Sequence, residues 1–282
     1  MKRSKRPSPE TDTQYAIYIL LETVKLQQII DSIEAFAPLS LQESYDNSGL
    51  QIGNPQSDVS AALLCLDVTE ETMAEALDRG CELIISHHPL LFHGLKHLTG
   101  ATPVERIAAT AVRLGIAVYS GHTSLDSAYN GVSYDMAHRL GLRDLRPLVP
   151  TAPGERTGLG VVGETQPTPA LEFLRRVKET FSVKALRYSA DSSTLVVRRV
   201  ALCGGAGAGF IPDAIDAGAD IYITGDVKYH DYTTYADRIL LADAGHYQTE
   251  IGALDIFTRI LHESFPELEI HVTAQKNPVS VI

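Results

Sequence analysis

Paired thiols are missing from this chain. Its only cysteines are Cys65, Cys81 and Cys203. None stands in a C-x-x-C pair, which argues against a disulfide framework and against a closed thiolate zinc site. Reduced thiols packed in the core of a cytoplasmic protein are the expectation. A basic excess is missing too: 24 Lys and Arg face 35 Asp and Glu, for a formal charge of −11. That is the wrong balance for a nucleic-acid scaffold, which draws its affinity from clustered cations. Nor is there a stretch of ~20 apolar residues to span a bilayer. The run Tyr15 to Leu21 follows Lys2, Arg3, Lys5 and Arg6, but it is short, is closed by Glu22 and precedes no small-residue cleavage site. Residues 1–24 therefore read as a polar extension outside the fold rather than a signal peptide. No Ser-His-Asp or Cys-His arrangement has motif context, and Ser86 beside His87 reads as a strand-end residue.

The chain does contain a regular alternation of apolar runs. With 44% hydrophobic and 21% charged residues, the composition is that of a globular α/β protein. Helical spacing over Leu26 to Phe36 ends at Pro38. Ala61 to Leu66, Glu70 to Asp78 and Leu83 to Ile85 then read as strand, helix and strand, with Gly80 as the helix stop. Pro103 to Leu114, stopped by Gly115, and Ile116 to Tyr119 repeat the unit, and Gly131 to Leu140 adds a helix. Parallel strands covered by helices follow from this pattern. Residues 146–195 read as a crossover with a helix near Ala170 to Thr180 and one or two strands. Alternation resumes at Val196 and runs to a strand over Leu268 to Val272.

The later half echoes the earlier one. At one constant offset Cys65 falls on Cys203, Ala76 on Ala214, Asp78 on Asp216, Gly80 on Gly218, Ile85 on Ile223 and Ser86 on Thr224. His87-His88 then falls on Gly225-Asp226. Downstream, Gly121-His122 to Asp126 matches Gly245-His246 to Glu250 in residue type and spacing. We read an internal duplication.

Three segments carry His and carboxylate just beyond apolar strands, where open α/β sheets build their sites. They are Ser86-His87-His88-Pro89, Gly121-His122 to Asp126, and Gly245-His246 to Glu250. Imidazole and carboxylate donors together suit Zn, Fe, Mn, Ni or Co. A bridging carboxylate would hold two ions, leaving a local charge of about +2 that attracts anions. His122 reads as a residue beside the ligands or a substrate contact. His93, His97, His138, His262 and His271 lack a matching carboxylate spacing, and most of them are assigned to surface or core. The run Cys203 to Gly209 sits where a phosphate loop would, but fits neither G-x-x-x-x-G-K-[ST] nor G-x-G-x-x-G, so a tight strand-to-helix turn is the favoured reading.

Through these motifs, together with Tyr45-Asp46-Asn47-Ser48-Gly49-Leu50-Gln51-Ile52-Gly53 and Thr224-Gly225-Asp226 with His230, the chain resembles the Nif-three-like family, also called GTP cyclohydrolase 1 type 2 homologues. The resemblance covers Lys25 to the C-terminus. It implies a three-layer α/β/α fold of two similar lobes, about 25–145 and 196–282, with a dinuclear centre between them and a homohexameric ring. Carried over by motif, His87, His88, Asp126, His246 and Glu250 would be the ligands. The crossover has no room for the large domain that some members insert there. The expected activity is metal-dependent hydrolysis of a small anionic or nucleotide-like substrate, with Asp46, Asp226 and His230 as candidates for proton transfer or ligand support. The alternative is a non-catalytic regulatory protein that uses its metal pair to hold a hexameric ring.

Overall fold

The computed structural model describes residues 23–189 and 194–282, so the extension expected over residues 1–24 lies almost wholly outside the described residues. A short strand β1 (Val24–Lys25) pairs antiparallel with β3 (Asp58–Val59) and leads into α1 (Leu26–Phe36). Leu26, Ile29, Ile30 and Ile33 form the buried stripe of α1, at the spacing that puts side chains on one helical face. After β2 (Gly49–Ile52) come β4 (Ala61–Cys65), α2 (Glu70–Asp78), β5 (Leu83–Ser86), α3 (Pro103–Leu114) and β6 (Ala117–Ser120). Thr69 and Thr102 accept amide hydrogen bonds at the starts of α2 and α3, satisfying donors that have no partner inside the helix.

The second half begins after the one-turn helix α4 (Thr123–Ser127) and α5 (Val132–Arg139). It contains β7 (Arg143–Pro150), β8 (Gly158–Pro169), α6 (Ala170–Thr180), β9 (Arg187–Tyr188), β10 (Val196–Leu202), α7 (Ile211–Asp216), β11 (Ile221–Thr224), α8 (Tyr229–Tyr235) and β12 (Leu240–Asp243). The chain finishes with α9 (His246–Glu250), α10 (Gly252–Ser264) and β13 (Glu269–Val272). The crossover thus supplies a long antiparallel pair, β7 and β8, at one edge of the second sheet.

Two mixed sheets result. The first has the order β13-β4-β5-β6-β2 and the second β7-β8-β10-β11-β12-β9. In each, three parallel strands in chain order form the centre, β4-β5-β6 and β10-β11-β12. Their side chains alternate between two apolar layers. Leu64 and Ile85 pack on the side of α1 and α10, whereas Leu63 and Ile84 pack with Met73 of α2 and Ile107 of α3. The second sheet repeats this, with Ile223 facing Tyr134 of α5 and Phe173 of α6, and Tyr222 facing Ile211 of α7. Burial on both faces explains why the central strands read as continuous apolar runs.

The two halves exchange their last helices. Tyr134, Met136 and Ala137 of α5 pack in a core of the second sheet, whereas Leu254, Phe257, Ile260 and Leu261 of α10 pack in a core of the first. Strand β13, which the sequence places in the later lobe, pairs parallel with β4 in the first sheet. An amphipathic stripe specifies that a helix is buried but not which sheet buries it. No helix among the described residues is long and apolar enough to cross a membrane.

Phe257 is fully buried in the first-sheet core although it comes from the second half. Phe257→Ala is therefore expected to cost about 3–5 kcal/mol and to shift one cooperative transition. Denaturant unfolding read by both far-ultraviolet dichroism and tyrosine fluorescence checks this; two separated transitions would contradict it.

Candidate metal centre

Strand ends from both sheets converge on one cluster. Beyond β5, the His87 and His88 amides donate to the carbonyls of Cys65 and Leu66, extending the ladder by two residues. The hydroxyls of Ser86 and Ser120 donate to the His88 and His87 carbonyls at 2.8 and 2.7 Å. Ser86 is thus a strand-end brace, as its sequence context suggests. Beyond β6 and β12, the one-turn helices α4 and α9 carry Asp126 and Glu250 inward.

Each imidazole is held by its Nδ1. His87 Nδ1 is 3.1 Å from the Gly121 carbonyl, His88 Nδ1 2.8 Å from Asp67, His246 Nδ1 2.8 Å from Asp226 and His122 Nδ1 2.8 Å from Asp46. An acceptor at Nδ1 fixes the tautomer that leaves Nε2 with a lone pair for a ligand. Glu250 lies among these nitrogens. Its Oε2 is 2.9 Å from Nε2 of both His88 and His246, and its Oε1 is 3.7 Å from His87 Nε2. Asp126 Oδ1 is also 3.7 Å from His87 Nε2.

The chemistry of this donor set fits metal. His87 Nε2 and Asp126 Oδ1 are buried without a hydrogen-bond partner, and a buried polar atom left alone is costly. His88 Nε2 and His246 Nε2 approach to 3.3 Å. Donor atoms sharing one ion with bonds near 2.1 Å lie roughly 3 to 4 Å apart, which matches these separations. His87, His88 and Glu250 form a triad whose donor atoms all lie within 4.8 Å of one another.

The electrostatics agree. Burial works against charge on His88, but hydrogen bonds to Asp67 and Glu250 outweigh it and raise its pKa to about 10. The hydrogen bond to Glu250 leads in raising His246 to about 9. Burial would raise the Glu250 pKa, yet His87, His246 and His88 hold it well below the usual carboxylate range. Asp126, buried and without donors, is pushed up by desolvation. Asp46, whose side chain is fully buried, resists its own desolvation through hydrogen bonds from His122 and Thr123 and stays ionised well below the normal range.

The sequence-picked residues therefore divide. His87, His88, Asp126, His246 and Glu250 meet in the cluster, with His122 beside it, its ring centroid 5.4 Å from that of His87 and 5.6 Å from that of His88. Asp46 and Asp226 orient His122 and His246. His230 is exposed on α8 beside Tyr229 and makes no side-chain hydrogen bond to the cluster. His93, His97, His138 and His262 are exposed. Sequence reading misses Asp67; its signal was a carboxylate directly after an apolar strand, without a spaced partner to single it out.

The glycine-rich run serves the same cluster. Gly205 is left-handed (φ +62°), and a Cβ placed there would lie 2.0 Å from Glu250 Oε1. The Gly205 amide donates to Thr249 Oγ1 at 3.0 Å. The run is a turn that makes room for a carboxylate.

A family model described as Duf34/NIF3 (NGG1p interacting factor 3) matches residues 24–278. A Streptococcus pneumoniae protein named GTP cyclohydrolase 1 type 2 homolog is 38% identical over 224 residues, covering 78% of this chain and 84% of that protein. The crystal structure of Staphylococcus aureus protein SA1388 superposes with a TM-score of 0.82 at 25% identity, covering 92% of this chain and 99% of that one. Reduced HcgD from Methanocaldococcus jannaschii superposes at 0.77 with 28% identity, covering 90% and 100%.

Gly205→Ala should displace Glu250 and weaken metal retention about 10- to 100-fold with the dichroism spectrum preserved; unchanged metal content after dialysis would refute this. In chelator-treated protein, raised pKa values make charged His88 and His246 stabilising. That contribution is complete below the unfolded value near 6.5 and is lost as pH rises through about 9 to 10. The metal-free melting midpoint should therefore fall from pH 7 to pH 10, and less steeply in His88→Gln/His246→Gln; equal slopes would contradict it.

With a match that runs from the first described strand almost to the last residues, the chain belongs to the Duf34/NIF3 (NGG1p interacting factor 3) family.

Proposed function

We propose that this chain is a dinuclear metal-dependent hydrolase of a small anionic or nucleotide-like substrate. The observation that carries the reading is the split of Glu250: one oxygen faces His87, across from Asp126, and the other faces His88 and His246. In this reading His87 and Asp126 would hold one ion, His88 and His246 the other, with Glu250 contributing an oxygen to each. Two such ions, when bound, would supply Lewis acidity toward an anionic oxygen and would acidify a water near neutral pH.

The remaining roles belong to the chain itself. Asp67 and Asp226 keep the Nε2 atoms of His88 and His246 turned inward. His122, oriented by the ionised Asp46, offers Nε2 as a proton carrier next to the cluster. The names of the relatives support a nucleotide-like substrate. The family resemblance supports a homohexameric ring, and the reduced thiols support a cytoplasmic location.

Elemental analysis of purified protein and of its alanine variants tests the reading. About two ions per chain are expected in the parent, about one in His246→Ala and none in Glu250→Ala. Hydrolysis across a panel of phosphoesters and purine nucleotides should vanish in His87→Ala and Glu250→Ala. Unchanged turnover in both variants would sink the hydrolase reading. Metal stripping that dissolves the assembly, with no substrate consumed by the parent, would favour the regulatory role instead.

A further inference from the structure

The segment Tyr45 to Gly53 is only partly accounted for by the cluster. Asp46 orients His122, but Tyr45 beside it is 62% exposed, and Phe92 across the cleft is 38% exposed. Their ring centroids are 6.5 Å apart, and Phe92 lies 6.2 Å from His122 and 4.9 Å from His93. An unbroken series of rings thus leads from solvent to the imidazoles of the cluster.

These aromatic side chains sit on a braced frame. Asn47 Nδ2 donates to the Leu91 carbonyl at 2.6 Å, the Leu91 amide donates to Gln51 Oε1 at 2.8 Å, and Gln51 Nε2 donates to the Asn47 carbonyl at 2.7 Å. The first two bonds tie the loop bearing Tyr45 to the loop bearing Phe92, and the third braces the Tyr45 segment itself. Exposed aromatics cost little side-chain entropy when they bind a flat partner, and ring stacking accepts any planar heteroaromatic.

We propose that Tyr45 and Phe92, inclined at 56° to one another, form a stacking platform on which the flat ring of the substrate lies against one aromatic face and meets the other ring edge-on, with its anionic group reaching the metal cluster. The inference rests on the hydrolase reading for the anion's position and adds the substrate class: a planar heteroaromatic joined to an acidic group. The occupant is a small ligand because the platform continues into the cluster and is held rigid by the same segment that orients His122.

Calorimetric titration of zinc-loaded protein with adenosine monophosphate and with ribose 5-phosphate tests the platform. The nucleotide should bind about tenfold or more tightly than the sugar phosphate. Tyr45→Ala/Phe92→Ala should erase that preference while metal content and ribose 5-phosphate binding persist, and Tyr45→Phe should keep it. Equal binding of the two probes by the parent, no binding of either, or an undiminished preference in the double variant would overturn the proposal. A fall in assembly mass of the double variant on light scattering would overturn it in favour of a contact between copies. Ring-selective binding without turnover would reject the hydrolase reading alone. Metal-dependent turnover that ignores the ring would reject the platform alone.

Discussion

Glu250 is the group around which the rest is arranged. A carboxylate taken out of water costs several kcal/mol unless opposite charge and hydrogen bonds surround it, and Glu250 is only 4% exposed. Three imidazoles compensate it, either as protonated partners or through cations they help to hold. Each outcome needs inward-facing Nε2 atoms, and so each ring is fixed from behind: His87 by a carbonyl, His88 and His246 by carboxylates. The surrounding glycines follow from the same demand. At Gly225 a Cβ would lie 2.7 Å from the His246 amide nitrogen, so the second sheet can bring His246 in only over a bare backbone.

The two halves have equivalent strand ends that carry complementary parts. Asp67 at the end of β4 corresponds to Gly205 at the end of β10, and His88 to Asp226. The first half supplies a carboxylate and an imidazole where the second supplies space and a supporting carboxylate. Side chains at every equivalent position would overfill a centre that must also hold Glu250. The two His-x-x-x-acid motifs therefore have different outcomes in an asymmetric donor set. His246 touches Glu250 directly, whereas His122 faces the open side of the cluster, next to Phe92.

Much of this was legible in the sequence, for specific reasons. Ala61 to Cys65 and Ile221 to Ile223 are apolar throughout because both faces are covered. Thr102, Pro103 and Gly115 bracket α3 with the start and stop signals that helices require. The converging donors were legible because they repeat at one spacing after matching strands. Asp67 was not, since a single carboxylate carries no spacing. His230 shares its neighbourhood in sequence with Asp226 but projects to solvent, because α8 turns the chain away. The return of α10 and β13 to the first sheet was illegible for a similar reason: local pattern determines the buried face of an element, and tertiary packing chooses its partner.

That return has a consequence for the centre. Donors drawn from two sheets hold their separation only if the sheets cannot hinge, and a displacement of 1 Å is enough to spoil a site of this kind. Exchange of α5 and α10 between the halves removes the hinge, because opening the cleft would pull Tyr134 from one core and Phe257 from the other at once. Close-packed interiors resist such motion. The burial of Glu250 is then sustained by the same packing that joins the halves, and the cost of holding its charge in the interior is met by the cohesion of both cores rather than by the local loops.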